Sequence, residues 1–461
     1  MNTLRIVPLV AGAAGLLYAS NTQAALVTYH VDTTADTFDP NGCVDREAGN
    51  CSLRSAVYEA NKDAMWDAIS LPAGNYVIDN AVEGVIDVTT GVHFLGEGAD
   101  LTTIEFHLPN VITFLASGAD AHMLFASVTL QGAAADAGAV YGDDIDYVYL
   151  YDAVVRDFDY ESTVVGVDEG LLMLQEFELA DNTSDDYGAR AIYGNHTPGA
   201  GVSLWAEDLY IHGNEAPGGG SIVELNYEES WLRRAEIADN TAGDAIFYVY
   251  GGYDFHDLYF HHNTAHAGMR FGQGGAPCYL GRSTFAYNSS AFGTIKAEGG
   301  AGVCLNNSTF AYNDAMRGSV ISTLAGSQVV ATQLTVIDNT AIVGAFHAEP
   351  GGEVFLEVVA AEGDVGNNLC AGGGSFTAWG SNAFSGDATC PMHPTDVMVP
   401  DLMLEPFADN GGFAPTMKPL PGSPLIDGAW QFWATWDQRN LPRGNGPTYE
   451  IGAFECQPGE C

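Results

Sequence analysis

Ser283-Thr-Phe-Ala-Tyr-Asn288 recurs unchanged as Ser308-Thr-Phe-Ala-Tyr-Asn313. Looser copies end at Asn182, Asn214, Asn240, Asn263 and Asn339, among them Leu209-Tyr-Ile-His-Gly-Asn214 and Leu258-Tyr-Phe-His-His-Asn263. Successive asparagines stand 32, 26, 23, 25, 25 and 26 residues apart. Repeats of this length build solenoids. Before each Asn, apolar residues alternate with others as in a strand that buries one face. Strands of successive coils are then expected to pair in parallel. Asn suits the turn that ends the strand because it tolerates left-handed backbone angles. Amides stacked at one position of successive coils can also hydrogen-bond along the axis. Gly219, Gly268, Gly293, Gly318 and Gly344 come at the fifth position after it and mark a second corner.

A leucine-rich repeat competes, since Leu232 to Asn240 and, more loosely, Leu280 to Asn288 fit its pattern. The residues after the Asn separate the two. A leucine-rich repeat continues into a Leu-bearing helix, whereas Gly243-Asp-Ala-Ile-Phe-Tyr-Val-Tyr-Gly-Gly252 is a strand-and-glycine segment. The expected fold is therefore all-β, a right-handed parallel β-helix over residues 75–390. About twelve coils at a strand spacing of about 4.8 Å give a rod about 60 Å long. Terminal coils expose core and edges, so caps are expected at both ends. Residues 25–74 would form an N-terminal cap with a short helix, and 391–461 a closing region. Within 51–64, Ser52 can serve as N-cap, and Leu53, Ala56, Val57, Ala60 and Ala64 share one face.

The chain has 461 residues, 59 acidic against 15 Lys+Arg, for a net charge of −44, and 47% of it is hydrophobic. That apolar fraction supports a folded core rather than an acidic disordered tail. The charge excludes non-specific nucleic-acid binding and docking on an anionic membrane, which both need a cationic surface. Residues 1–24 read as a secretory signal peptide: a basic start to Arg5, an apolar run from Ile6 to Ala19, and small residues before the cleavage point. No later segment reaches 18 apolar residues, so no membrane insertion is expected after cleavage. The eight cysteines (Cys43, Cys51, Cys278, Cys304, Cys370, Cys390, Cys456 and Cys461) all lie beyond the signal. An even number in an exported chain favours disulfides, read as consecutive local pairs, over zinc.

Cys51-Ser-Leu-Arg-Ser-Ala56, with Leu71-Pro-Ala-Gly-Asn-Tyr76 and Gly96-Glu-Gly-Ala-Asp-Leu-Thr-Thr-Ile104, resembles the Cys-Ser-Leu-Arg-Glu-Ala region of the exported bacterial CSLREA-domain proteins. Pro400-Asp-Leu402, Asp409-Asn-Gly-Gly412, Pro421-Gly-Ser-Pro-Leu-Ile-Asp427, Asp437-Gln-Arg439 and Ile451-Gly-Ala-Phe-Glu455 resemble the choice-of-anchor Q region. The resemblance implies an exported β-helix of the pectate-lyase-like superfamily and assigns no catalytic residue. Two departures stand out. Ser55 replaces a Glu, which removes the reciprocal capping box, and Asn440 stands where the Asp-Gln-Arg motif continues with Gly. No sorting tail comes after Glu455, which leaves attachment to a cell surface open.

Two function classes remain: a secreted, non-catalytic protein of adhesion, glycan binding or matrix structure, and a polysaccharide lyase or glycoside hydrolase. The expected partner is a polysaccharide or cell-surface glycan. Lysine occurs only at Lys62, Lys296 and Lys418, which disfavours a lyase base. Asp143 and Asp144 are the catalytic candidates, set against an ordinary solvated turn. Asp157, Asp159 and Glu161 alternate, and on a strand over 154–165 they would share an outward face. Such oxygen ligands could hold Ca²⁺, or form a hydrated acidic face. His256, His261, His262 and His266 are the densest histidine group; alternation puts His261 and His262 on opposite faces, unable to share a metal without a bend. Tyr147, Tyr149 and Tyr151 fit an inward-facing stack, with an outward sugar-stacking stripe as the alternative. Three or more carboxylates converging on Arg270, Arg282 or Lys296 would favour the enzyme. The net charge opposes compaction at low salt, so the melting temperature is expected to rise between low salt and about 1 M NaCl, measurable by circular dichroism.

Overall fold

The computed structural model describes residues 27–43, 50–62, 65–79, 84–107, 109, 111–133, 135–195, 203–273, 278–363, 368–386, 389–430 and 435–461. The signal peptide and Ala64 lie outside them. In Tyr147–Arg156, Val148, Leu150, Ala153 and Val155 are buried and the intervening side chains point away from the core. The same alternation recurs in Leu171–Ala180. These strands stack residue for residue into a parallel β-solenoid of about twelve turns.

Each coil has three faces. His122–Gly132, Tyr147–Arg156, Leu171–Ala180 and Ser203–His212 supply the first face with their leading halves and the second with their trailing halves. Gly138–Asp143, Thr163–Asp168 and Arg190–Asn195 lie on the third. Pairing is parallel from Thr28–His30 to Val397–Val399, past both of the bounds expected for the solenoid. The core is aliphatic with aromatic stacks, such as Phe285 on Phe310 at 4.7 Å.

Left-handed residues make the corners. Between first and second faces stand Asp152, Glu176, Asp208, Arg234, Asp257 and Arg282, with φ from 47° to 59°. L-residues resist this conformation by about 1–2 kcal/mol each. Neighbouring coils offset part of that cost with ion pairs: Arg234 forks onto Asp208 at 2.6 and 2.7 Å, and Arg282 onto Asp257 at 2.9 and 2.7 Å.

At the second corner the left-handed residue is the one before the asparagine: Asp181, Gly213, Asp239, His262, Tyr287, Tyr312 and Asp338. The asparagines are not the turn formers that their type suggests. They are buried, and from Asn214 onward each Oδ1 accepts both the backbone N–H and the Nδ2–H of the preceding coil's Asn. From Asn182 through Asn214, Asn240, Asn263, Asn288 and Asn313 to Asn339, these amide–amide contacts measure 2.8–3.1 Å. Each Nδ2 also donates to a backbone carbonyl, as Asn288 does to Phe260 at 2.9 Å.

The helix α1 (Leu53–Ala60) packs against Asp67–Leu71, Ile86–Val88 and Gly91–Gly96. Ser52 caps it by accepting the Ser55 N–H at 3.1 Å. Ser55 is buried, accepts the Asp39 N–H at 2.9 Å and ties the cap to the preceding loop. Arg54 is buried on Asp36, at 2.8 and 2.9 Å. Four consecutive disulfides join Cys43–Cys51, Cys278–Cys304, Cys370–Cys390 and Cys456–Cys461.

The C-terminal region runs back along the second face. Gln438 donates to the Ser283 carbonyl and accepts from Thr309, and the Ala453 N–H bonds Thr335. Asn440 takes φ 63°, in the left-handed region. Buried Arg439 pairs with Asp437, and buried Arg443 with Glu455 at 3.2 Å. Burial, with Glu455 beside it, pushes the Glu450 carboxyl up to about 8. The neutral form of Glu450 is thereby favoured, and Glu455 and Asp437 supply the main negative charges beside Arg443.

Asn288→Ala would orphan two buried donors of Asn263, whereas Asn182→Ala would orphan only the Phe158 N–H. At about 1–3 kcal/mol per orphaned group, the first variant is expected to lose about twice the stability of the second in denaturant unfolding.

Candidate functional site

The first face carries two outward rows in strict register. One runs Leu124, Tyr149, Met173, Trp205, Trp231, Asp254, Tyr279. The other, two residues along each strand, runs Ala126, Tyr151, Gln175, Glu207, Arg233, His256, Gly281. Tyr147, Tyr149 and Tyr151 point outward and are half-buried, so the inward stack expected for them is wrong. Both sets of alternating positions in that strand are apolar or aromatic, and Val148 and Leu150 take the core.

Aromatic rings continue from coil to coil. Trp66, His93, His122 and Tyr147 succeed one another at 4.7, 5.4 and 4.5 Å, and Trp205 stacks on Trp231 at 5.5 Å and 8°. Beyond the tryptophans the face turns polar. The Arg233 guanidinium lies 4.7 Å over the Trp231 ring and bonds Asp254 at 3.1 Å. His256 Nε2 meets the other Asp254 oxygen at 2.6 Å, and its ring packs on Tyr279 at 4.5 Å. Burial would raise the Asp254 carboxyl, but the His256 hydrogen bond and the charges of Arg233 and Arg282 hold it below the usual range. Burial, reinforced by Arg282 and Arg233, lowers His256, so its ring is neutral at pH 7. His256 Nδ1 is buried without a partner.

At the corner beside this face lies a groove of about 230 Å³ lined by Asp152, Glu176, Glu178, Asp208, Phe177 and Tyr210. Its acids are engaged: Asp152 by Ser127 at 2.7 Å, Asp208 by Arg234, and Glu178 by His212 at 2.9 Å.

The other residues singled out in the sequence lie elsewhere. Asp143 ends a third-face strand between Ser117 and Asp168, and Asp144 turns left-handed at φ 53°. Neither forms an ion pair among the described residues. Asp157 is also left-handed, at φ 60°, so the strand stops at Arg156 and the alternation through Glu161 is broken. Asp157 accepts from Gln131 at 3.0 Å. Glu161 instead gathers with Asp136 and Asp186, their carboxylate oxygens within 4.8 Å, and burial together with Asp136, Asp185 and Asp186 raises Asp159. His256 stands on the first face, His261 and His262 at the second corner, and His266 beyond it against Phe292 at 4.6 Å. The expected separation of His261 from His262 is wrong: φ 55° at His262 brings their Nδ1 atoms to 2.8 Å.

On the third face, Arg270 pairs with Asp244 and Glu298, and Lys296 with Glu298 at 2.9 Å. Arg282 pairs with Asp257. Among the described residues, none of the three ion-pairs with three carboxylates. Among the described residues no helix is long and apolar enough to cross a membrane.

No family model matches the chain, and no curated protein matches it in sequence. Among solved structures, it is similar to the A-module of a mannuronan C-5 epimerase from Azotobacter vinelandii, with TM-score 0.37 and 12% identity, over 80% of this chain and 98% of that one. It is also similar to the catalytic domain of a GH87 alpha-1,3-glucanase variant in complex with nigerose, with TM-score 0.42 and 14% identity, over 78% and 68%. A third is a tailspike protein variant of E. coli bacteriophage HK620 in complex with a pentasaccharide, with TM-score 0.38 and 12% identity, over 81% and 78%.

Burial, with the charge of His122, lowers the His93 imidazole from 6.5 to about 4. Between those values the unfolded chain binds the extra proton, so this group's contribution is lost as pH falls. A His93→Phe variant, which can stack but not titrate, is expected to gain melting temperature relative to the parent as pH drops from 6.5 to 4, read by paired thermal melts.

Proposed function

We infer that this chain is an extracellular glycan-binding protein that takes a neutral polysaccharide along its first face. The parallel pair Trp205 and Trp231, in register on successive coils and rimmed by Glu207, Arg233 and Asp254, supports this reading most. Half-buried ring edges provide an apolar floor for the C–H faces of sugars, and fixed polar groups at its edge can select hydroxyls. A polyanion would meet the repulsion of a chain carrying −44; a neutral glycan would not. Four disulfides suit an oxidising compartment. The resemblance of 51–104 and 400–455 to exported CSLREA-domain and choice-of-anchor Q proteins supports secretion.

One observation favours a polysaccharide-active enzyme as the second reading: a neutral imidazole at 2.6 Å from a carboxylate and packed on a phenol ring, His256 with Asp254 and Tyr279. Against it, the free nitrogen of His256 is buried rather than presented to a substrate.

Affinity electrophoresis through neutral and acidic polysaccharides separates the readings. Retardation by a neutral glycan is expected, weakened about 30-fold by Trp231→Ala, as for the loss of about 2 kcal/mol at a hot spot. Retardation only by polyanions, or an unchanged Trp231→Ala, would overturn the binding face. Release of reducing ends or unsaturated products, abolished in Asp254→Asn, would shift the assignment to the enzyme.

A further inference from the structure

The second corner holds a feature that the glycan face does not use. His261 closes the second-face part of its strand, and His262 adopts φ 55°. The turn swings the two imidazoles to one side, with Nδ1 of each 2.8 Å from the other. We propose that His261 and His262 form a two-nitrogen chelate for a divalent transition-metal ion of square-planar or octahedral preference, Cu²⁺ first.

The separation carries the choice of metal. Two nitrogens at about 2.0 Å from an ion stand about 2.8 Å apart at a right angle, and about 3.3 Å apart at the tetrahedral angle. The 2.8 Å spacing is set by the N–H···N bond of the metal-free corner and is also what the right angle needs, so such an ion replaces the bridging proton without parting the nitrogens. Among divalent ions of that geometry, imidazole affinity peaks at Cu²⁺.

Both rings are set for the task. Glu236 Oε1 lies 3.2 Å from His261 Nε2 and fixes the N–H there, leaving the Nδ1 lone pair free to point at His262. A carboxylate behind a metal-binding imidazole orients the ring and raises its basicity as a ligand. Tyr259 stacks on His261 at 3.9 Å, and Tyr287 on His262 at 4.9 Å and 16°. Without metal, one N–H bridges the two Nδ1 atoms. On binding, that proton moves through solvent to Nε2 of exposed His262, so no net proton is released.

The coil two before it is a built-in control. His212 has its own carboxylate, Glu178 at 2.9 Å, and its own stacked ring, Tyr210 at 4.0 Å. Its next residue is Gly213, at φ 64°, so it has the support and no second imidazole. This also makes His262→Gly a safe variant, because glycine already occupies the same corner in another repeat.

The experiment titrates Cu²⁺ into the chelator-treated full chain with glycine as competitor, followed by electron paramagnetic resonance. One equivalent with coupling to two imidazole nitrogens is expected, with Cu²⁺ bound more tightly than Zn²⁺. His262→Gly should weaken it about 100-fold, Glu236→Gln about tenfold, and His212→Ala not at all. Equal Cu²⁺ affinity in His262→Gly, or a spectrum with oxygen ligands alone, would overturn the proposal.

Discussion

Residue-for-residue register between coils is the constraint that everything else obeys. The buried asparagines enforce it, because an amide that must accept two donors from the coil before and donate to the coil after has one workable position. Coil lengths from 23 to 32 residues leave the amide–amide contacts at 2.8–3.1 Å. Variation in length is therefore absorbed away from the ladder. A slip by one residue would also reverse the faces of a strand and put its charged side chains in the core. The ladder and the hydrophobic pattern thus specify the same register, and the outward rows inherit their alignment from it.

That inheritance makes part of the site readable from sequence. Counting nine residues back from Asn214, Asn240, Asn263 and Asn288 lands on Trp205, Trp231, Asp254 and Tyr279; counting seven back lands on Glu207, Arg233, His256 and Gly281. The repeat is a ruler, and applying it across coils would have found the face. What stayed hidden has one physical cause. Corners here are made by left-handed Asp, Glu, Arg, His and Tyr rather than by glycine alone, and no residue type announces such a turn. Alternation in the sequence runs on through Asp157 and His262, although the strands end at Arg156 and His261. For Tyr147, Tyr149 and Tyr151, alternation shows which residues share a side but not which side is buried.

The charge has an order of its own. Cations are few, and most are spent on the solenoid's own acids: across corners at Arg234 and Arg282, on the third face at Arg270 and Lys296, and inside the C-terminal region at Arg439 and Arg443. The buried pairs near the C-terminus are exchanged against desolvation and cost dearly only when one partner is removed. Burial and the neighbouring Glu455 raise the Glu450 carboxyl, which favours its neutral form at that site. Many of the remaining acids are exposed, which leaves a repulsive sheath that salt screens.

The C-terminal region explains why the side chains of the second face change along the solenoid. Along the second face one outward row reads Glu178, Tyr210, Glu236, Tyr259, then Thr284, Thr309, Thr335 and Ala360. The change from large polar residues to small ones coincides with the returning chain: Pro415 and Gln438 bond Thr284, Gln438 bonds Thr309, and the Ala453 N–H bonds Thr335. Phe407 marks the edge of the covered zone, 6.1 Å from Tyr287 and 6.2 Å from Tyr312. Small hydroxylated side chains let a non-repetitive backbone approach a sheet and satisfy its donors, which bulky Glu and Tyr would prevent. The second face is thus divided between structure and the His261–His262 corner. The first face keeps its large aromatic and charged residues through the coils of Trp205 to Tyr279, half-buried against one another by ring stacking and ion pairing, and the proposed glycan face rests on that row.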